Sequence, residues 1–79
     1  MDTKVFHYFV ELARVKNYSR AAKTLYISPQ GLSSSIKRLE GQLGVSLIEA
    51  DGKGVKLTDY GEVFRKYAQD LSMKIDDME

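Results

Sequence analysis

Cysteine is absent from the 79 residues, and histidine and proline each occur once. A chain without cysteine can form neither disulfides nor cysteine-ligated zinc sites. The one histidine, His7, has no second histidine or cysteine with which to share a metal, so we interpret it as a helix-surface residue. A serine-histidine-acid triad would need a pocket that excludes water, and so short a chain leaves little room for one. We therefore predict no catalytic residue, no metal and no cofactor.

Long apolar runs are also absent. No segment approaches the roughly 20 apolar residues that a membrane span needs, and the opening Met1-Asp2-Thr3-Lys4 lacks the pattern of a signal peptide. The composition, 43% hydrophobic and 29% charged, is typical of a globular chain. We expect one small domain with one modest core, located in the cytoplasm and without a membrane partner.

Acidic residues are missing from the middle of the chain. Between Leu12 and Leu39 there are six basic residues and no acid, whereas from Glu40 onward nine acids accompany five bases. Such a separation favours one surface that meets a polyanion and another that meets water or protein. A chance imbalance on a solvated surface is the plainer alternative, so charge alone does not decide for a nucleic acid.

Apolar periodicity and capping residues predict two helices in the first third of the chain. Asp2 is placed to cap a first helix that runs to about Val15. The apolar stripe of this helix consists of Val5, Phe6, Phe9, Leu12 and Ala13. Ser19 is expected to cap a short second helix, from Arg20 to about Tyr26.

The strongest helix signal in the sequence is Ser28-Pro29. Ser28 is an N-cap residue, and Pro29 suits the first helical position because its missing N–H costs nothing there. This third helix should end at Leu43, before Gly44, which suits the left-handed residue that follows a helix. The few residues that separate it from the second helix predict a helix-turn-helix.

Two short β-compatible runs follow. Residues 47–50 and 55–57 flank the glycine-rich tip Asp51-Gly52-Lys53-Gly54, and this pattern predicts a hairpin, the wing. Thr58 should then cap a last helix through about Met78. The predicted fold is mainly α: a winged helix-turn-helix, with a three-helix head and a two-stranded wing over residues 1–58, followed by a long linker helix over 59–79.

The third helix carries the most informative pattern. At about 100° per residue, one side is apolar and faces the core: Leu32, Ile36, Leu39 and Leu43. The other side is short and polar at first and then basic: Gln30, Ser33, Ser34, Lys37 and Arg38. Small residues let a helix approach base edges in a major groove, glutamine can pair with adenine, and lysine or arginine can reach guanine or phosphate.

An ordinary solvated face is the alternative for this helix. However, Gly31 and the three serines from Ser33 to Ser35 are poor helix formers, so they lower the stability of the helix and have no evident structural role. Residues of this kind are typical of a binding surface, so we favour DNA reading.

Other basic residues are candidates for phosphate contacts. Arg14 and Lys16 precede the second helix, and Arg20 and Lys23 lie on it. Lys53 stands between two glycines at the wing tip, which suits a contact with the DNA backbone. General solubility is the alternative for each of them.

The last helix has an apolar seam interrupted by Lys74. The residues predicted to lie at a dimer contact are Tyr60, Phe64, Tyr67, Leu71, Ile75 and Met78. One part of this helix must cover the core of the head, and the remainder is too apolar for water, which favours dimerisation. Packing within one chain is the alternative.

These features together resemble the N-terminal domain of the LysR-type transcriptional regulators. The resemblance covers the whole chain and rests on the order and spacing of several short motifs: Phe6-His7-Tyr8-Phe9-Val10, Tyr18-Ser19-Arg20-Ala21-Ala22, Leu32-Ser33, Ile36-Lys37-Arg38-Leu39-Glu40, Leu43-Gly44-Val45, Leu57-Thr58 and Gly61-Glu62. It implies a bacterial transcription factor that binds a partly palindromic promoter site as a homodimer joined through the last helix.

The resemblance also assigns roles to individual residues. It implies base reading by the residues around the start of the third helix, namely Ser28, Pro29, Gln30, Ser33 and Ser34, with Lys37 beside them. It implies backbone contacts by Arg38 and by Lys53 of the wing. With the basic residues above, the predicted phosphate-contacting set is Arg14, Arg20, Lys23, Arg38 and Lys53.

Three departures from the family pattern bear on these roles. Ser34 replaces a residue that is often long and polar or basic, which indicates an unusual base preference. Ala50 stands where an arginine frequently follows the wing strand, which puts one phosphate contact in doubt. The large ligand-sensing domain of the family is absent from these residues. Either the chain is a fragment or the protein has lost sensing. We favour the fragment, and expect an effector and RNA polymerase contacts only in the full-length protein.

Two rival functions remain at this point. One is a winged-helix module whose basic face binds an acidic protein, and the other is a small enzyme. The single histidine and the short chain disfavour the enzyme. Steep salt dependence of binding to random duplex DNA would separate DNA binding from protein binding.

Overall fold

A computed structural model describes residues 3–78. Within them the chain forms four helices and one hairpin, in the order α1 (Lys4–Val15), α2 (Tyr18–Leu25), α3 (Pro29–Leu43), β1 (Ile48–Asp51), β2 (Gly54–Leu57) and α4 (Asp59–Met78). The two strands are antiparallel, with Ala50 opposite Val55. This architecture confirms the predicted winged helix-turn-helix with a long last helix.

The core lies where α1 crosses the other helices. Phe9 and Leu12 of α1 are fully buried, as are Leu32 and Ile36 of α3. The predicted stripe of α1 is therefore confirmed, with Phe6 half-buried at its edge. On the other side of α1, Phe64 of α4 packs edge-on against Phe9, with ring centroids 5.3 Å apart.

Both ends of α3 agree with the prediction, whereas the start of α2 does not. Ser28 caps α3, with its hydroxyl accepting the N–H of Gly31 at 2.9 Å, and Gly44 ends it with φ 75°. The prediction of Ser19 as the cap of α2 is wrong. The side-chain oxygen of Asn17 accepts the N–H of Arg20 at 2.9 Å instead, so Ser19 lies inside the helix. The predicted cap Asp2 lies outside the described residues.

Two other expectations are corrected. Leu43 was expected in the core but is 39% exposed, whereas Leu39, one turn earlier in α3, is buried. The wing strands each include one residue of the predicted four-residue tip, so that only Gly52 and Lys53 form the turn. Leu47, expected in the first strand, precedes it and is buried.

Hydrogen bonds across the fold fix the wing relative to the helices. The N–H of Val55 donates to the carbonyl of Lys16 at 3.0 Å. Gly54 comes so near that a Cβ there would lie 2.5 Å from the same carbonyl oxygen. A carboxylate oxygen of Glu40 accepts the N–H groups of Leu47 and Ile48, at 2.6 and 3.1 Å. The wing therefore has a set position beside α3.

The last helix begins on this anchored segment. Thr58 caps α4 as predicted, with its hydroxyl accepting the N–H of Gly61 at 3.0 Å. A Cβ at Gly61 would lie 2.1 Å from the carbonyl oxygen of Leu47, so this position needs glycine because of close approach. Among residues 3–78, none of the helices has the length and apolar character needed to cross a membrane.

Candidate nucleic-acid interface

The outward face of α3 is open to solvent along its length. Gln30, Ser34 and Lys37 are exposed, and Ser33 is half-buried beside them. A shallow groove runs along the start of the helix and is lined by Tyr18, Pro29, Gln30, Ser33 and Ser34. Four of the six residues predicted to read bases therefore share one groove, with Ser28 and Lys37 outside its lining.

Capping accounts for one oddity of the α3 sequence. A Cβ at Gly31 would lie 3.1 Å from the hydroxyl oxygen of Ser28, which already accepts the Gly31 N–H. Glycine at this position therefore leaves room for the capping hydroxyl of Ser28, a structural role that the sequence did not reveal. Within residues 3–78, the serines from Ser33 to Ser35 cap no helix end, so their low helix propensity still favours a binding surface.

The basic residues near α2 line a second open groove, between α1 and α2. Its lining includes Arg14, Arg20 and Lys23. Arg14 already forms a two-pronged ion pair with Glu11, with N···O distances of 2.9 and 2.8 Å. Within residues 3–78, Arg20 and Lys23 form no ion pair, so they carry the uncompensated charge of this groove.

Glu11 of α1 also contacts α2. Besides Arg14, its carboxylate accepts the hydroxyl of Thr24 at 2.6 Å. The hydrogen bond from Arg14 and that from Thr24 together hold the pKa of Glu11 below its usual value. Sequence analysis missed this contact because Thr24 lies 13 positions away from Glu11.

The two tyrosines beside α3 have different surroundings. Tyr18 is half-buried, and burial together with the negative charge of Glu40 raises the pKa of its hydroxyl. Tyr26 is 94% exposed and occupies the left-handed residue, φ 60°, that ends α2. Its ring therefore stands free in the turn of the helix-turn-helix.

The wing presents Lys53 at its exposed tip, next to Gly52 with φ 60°. On the strands behind it, Lys56 pairs with Glu49 across the hairpin at 3.8 Å. In the described part of the chain, Lys53 forms no ion pair. The charge of Lys53 is thus available to a partner, while that of Lys56 is offset.

His7, interpreted from the sequence as a helix-surface residue, is half-buried on α1 and has two polar partners. Its Nδ1 hydrogen-bonds the hydroxyl of Ser72, and its Nε2 lies 3.5 Å from a carboxylate oxygen of Asp76. Ser72 is buried, and the three side chains join α1 to α4. This serine-histidine-acid row lies in a helix contact, and none of the three residues lines a cavity described here. No group of potential metal ligands occurs within residues 3–78.

The residues predicted for a dimer contact fall into two sets. Phe64 packs inside the chain, stacked on Phe6 with centroids 6.3 Å apart, and Ile75 is half-buried. The other four are exposed and lie on one side of α4, adjacent to the packed side: Tyr60, Tyr67, Leu71 and Met78. The exposed fractions reach 65% at Tyr67 and 85% at Met78, so α4 keeps an uncovered apolar stripe.

A three-helix head, an anchored wing and an exposed third helix define the class of winged helix-turn-helix proteins. The model for bacterial regulatory helix-turn-helix proteins of the LysR family matches residues 3–62. The chain belongs to this family.

Comparison with relatives and solved structures agrees. Over 60 residues, 76% of this chain, it is 47% identical to the HTH-type transcriptional regulator PcaQ of Agrobacterium fabrum, of which it covers 19%. The BenM DNA-binding domain, solved with its benA site 1 DNA, has a TM-score of 0.90 and 35% identity, with 99% of this chain and 88% of that one covered. Full-length OxyR from Pseudomonas aeruginosa has a TM-score of 0.92 and 32% identity, with 99% of this chain and 26% of that one covered. The chain spans about a fifth of the length of PcaQ.

Proposed function

We propose that this chain binds double-stranded DNA in a sequence-specific way and, as part of a dimeric LysR-type regulator, controls transcription from partly palindromic promoter sites. The observation that carries the proposal is the outward face of α3, which is exposed, short-chained and free of acids at its start, while its other face is locked in the core. A helix held in this way can enter a major groove without rearrangement. A cytoplasmic, nucleoid-associated location accompanies this function.

Bases and phosphates would be contacted by different residues. Gln30, Ser33 and Ser34 line the groove at the start of α3 and suit base edges, and Lys37 follows them on the same face. Arg20 and Lys23 on one side and Lys53 on the other suit backbone phosphates, which set register and most of the affinity. Arg14 must share its charge with Glu11, so its contribution to DNA affinity should be the smallest of the predicted set.

The dimer would form through the exposed stripe of α4. Tyr60, Tyr67, Leu71 and Met78 lie on one side of a helix that already buries its neighbouring side against α1. Two antiparallel copies would present two recognition helices about 34 Å apart, or a multiple of it, to match a two-fold symmetric site. This arrangement follows the partly palindromic sites implied by the family.

Selection of duplexes from a random pool, followed by titration of a selected and a random duplex at several salt concentrations, tests the function. We expect tighter binding of the selected duplex and a steep fall of both affinities with salt, because bound phosphates release counterions. Chemical-shift changes should centre on α3. Binding to DNA without salt dependence would instead favour a winged-helix module that binds protein. Salt-dependent binding with a selected pool that shares no sequence would contradict sequence-specific recognition.

A further inference from the structure

A small cleft separates the start of α1 from the second half of α3. Its floor is apolar and buried, formed by Val5 and Leu39. Its walls are polar and come from both helices: Lys4, Tyr8, Ser35, Arg38 and Gln42. Of these, only Arg38 was singled out by the sequence, as a candidate phosphate contact.

The chemistry of the walls selects an oxyanion. Two side chains are cationic, two carry hydroxyls and one is an amide, and no carboxylate lines the cleft among the residues described. Arginine donates two parallel hydrogen bonds to a phosphate, and tyrosine and serine hydroxyls add single donors. A buried apolar floor limits screening by water and strengthens these contacts.

The cleft is small and open to solvent, with a volume of about 60 Å³. A single tetrahedral group can enter it from outside. A phosphate group therefore suits both the charge and the position of the cleft.

The position of the cleft relates it to the base-reading face. At about 100° per residue, Arg38 lies roughly 60° round α3 from the centre of the face that carries Ser34 and Gly41, on the side of α1. When that face occupies a major groove, a sugar-phosphate strand passes along each flank. Arg38 is thus directed to a sugar-phosphate strand of the DNA, whereas Lys37 lies on the base-reading face.

From these observations we infer that the cleft between α1 and α3 is a seat for one phosphate of the DNA backbone, with Arg38, Tyr8 and Ser35 as its donors. The inference rests on the proposed DNA binding and deepens it, because it places the predicted phosphate contact of Arg38 in a defined cleft and adds Tyr8 and Ser35 as contact residues.

Arg38→Gln and Tyr8→Phe in the full chain test the seat, with Arg65→Gln as the matched control because Arg65 lines a different groove, between α1, β2 and α4. The measurement is the dissociation constant against salt for a selected and a random duplex. For Arg38→Gln we expect the log-log salt slope to fall by about 0.9, the value for one phosphate, on both duplexes alike. The control should keep the wild-type slope, and thermal melting should verify that all three variants fold.

Methylphosphonate substitution at single backbone positions locates the partner. One neutralised position should weaken binding by the wild type and have no further effect in Arg38→Gln, and a reduced effect in Tyr8→Phe. If Arg38→Gln changes the preferred base and leaves the slope intact, Arg38 reads a base and the seat is wrong, although DNA binding stands. If inorganic phosphate alone shifts the resonances of Tyr8 and Ser35 while no backbone position responds, the cleft is a free-anion site and the inference fails. If the wild type shows no salt-dependent DNA binding, the proposed function itself fails.

Discussion

At the scale of single residues, Gln30 and Lys53 separate two kinds of contact. Gln30 lies in the groove at the start of α3, where its amide can pair with one adenine. Lys53 lies at the tip of the wing, where its charge is not offset within residues 3–78. Side chains that touch bases change sequence preference, whereas side chains that touch phosphates change affinity for every sequence.

We therefore predict different outcomes for Gln30→Ala and Lys53→Ala. Gln30→Ala should relax the preference at one base pair by about 1–3 kcal/mol. Lys53→Ala should weaken binding to all duplexes similarly and lower the salt slope by about one unit. Competition binding with single-base variants of a selected duplex measures the first effect, and a salt series measures the second. An unchanged preference in Gln30→Ala would remove Gln30 from the reading set.

The second prediction for a single residue concerns Gly61, which lies close to the backbone of Leu47. The carbonyl of Leu47 that faces Gly61 also accepts the N–H of Thr58 at 3.0 Å, so it cannot move aside freely. Gly61→Ala should lower the free energy of unfolding by about 1–3 kcal/mol through overpacking. Gly41→Ala is the control, because a Cβ there meets nothing within 4 Å, and it should stabilise α3 by about 0.5–1 kcal/mol. Urea unfolding measures both; equal effects would contradict the close approach.

At the scale of elements, the start of α2 is decided by Asn17 rather than Ser19. The sequence analysis predicted Ser19, but asparagine is as good a cap as serine, so residue type does not decide between the two positions. In the structure Asn17 is extended, with φ −154° and ψ 121°, and its side chain accepts a hydrogen bond from the backbone of α2. We predict that Asn17→Ala lowers the free energy of unfolding by about 1 kcal/mol. Ser19→Ala should change it by less than about 0.5 kcal/mol. A similar cost for both variants in urea unfolding would contradict Asn17 as the only cap of α2.

The link between α1 and α2 should depend on pH through Glu11. The folded state lowers the pKa of this carboxyl, so the stabilisation is present above its unfolded value, about 4.5, and is lost as the pH falls through the lowered value. We expect the stability advantage of the wild type over Glu11→Gln to be larger at pH 7 than at pH 3. Asp70→Asn is the control, because Asp70 is exposed and forms no ion pair within residues 3–78. A difference for Glu11→Gln that is constant with pH would contradict this link.

The elements themselves were largely predictable because their signals are local. Ser28-Pro29 and Gly44 bound α3 through backbone geometry that those residues favour, and Thr58 starts α4 in the same way. Leu43 was misplaced because periodicity assigns a side of a helix but does not show where the covering helices end. The position of the wing was not predictable, since Glu40 and Lys16 hold it by contacts between residues that are distant in sequence.

The residues of the candidate interface also divide into those that the sequence predicts and those that it does not. The exposed residues of α3 follow from helical periodicity, so Gln30, Ser34 and Lys37 could be found from the sequence. The cleft beside Arg38 could not, because Tyr8 and Ser35 come from two helices whose packing no local pattern reveals. The pairing of Arg14 with Glu11 was missed for a different reason: the acid-free region was counted from Leu12, one residue beyond its partner.

At the scale of the whole molecule, α4 packs against the head on one side and exposes an apolar stripe on another, and its sequence alone does not separate the two. One side completes the core, where Phe64 stacks on Phe6 and Ala68 is fully buried. The contacts of His7 with Ser72 and Asp76 continue this packing along the helix. The angle between α4 and the head is therefore fixed within one chain, so a dimer formed through α4 would hold its two recognition helices at a fixed distance.

The exposed side of α4 then predicts the assembly state. An uncovered stripe of four large apolar residues is unfavourable in water and matches a helix-helix seam. We expect the wild type to sediment as a dimer at micromolar concentration, and Tyr67→Glu to sediment as a monomer because a charge would be buried in the seam. Met73→Glu is the control, since Met73 is equally exposed but lies about 120° away round the helix. On a duplex with two half-sites, Tyr67→Glu should bind more weakly than the wild type, whereas on a single half-site the two should differ little. A wild type that stays monomeric throughout this range, or a Met73→Glu variant that dissociates as readily as Tyr67→Glu, would show that the stripe does not join two copies.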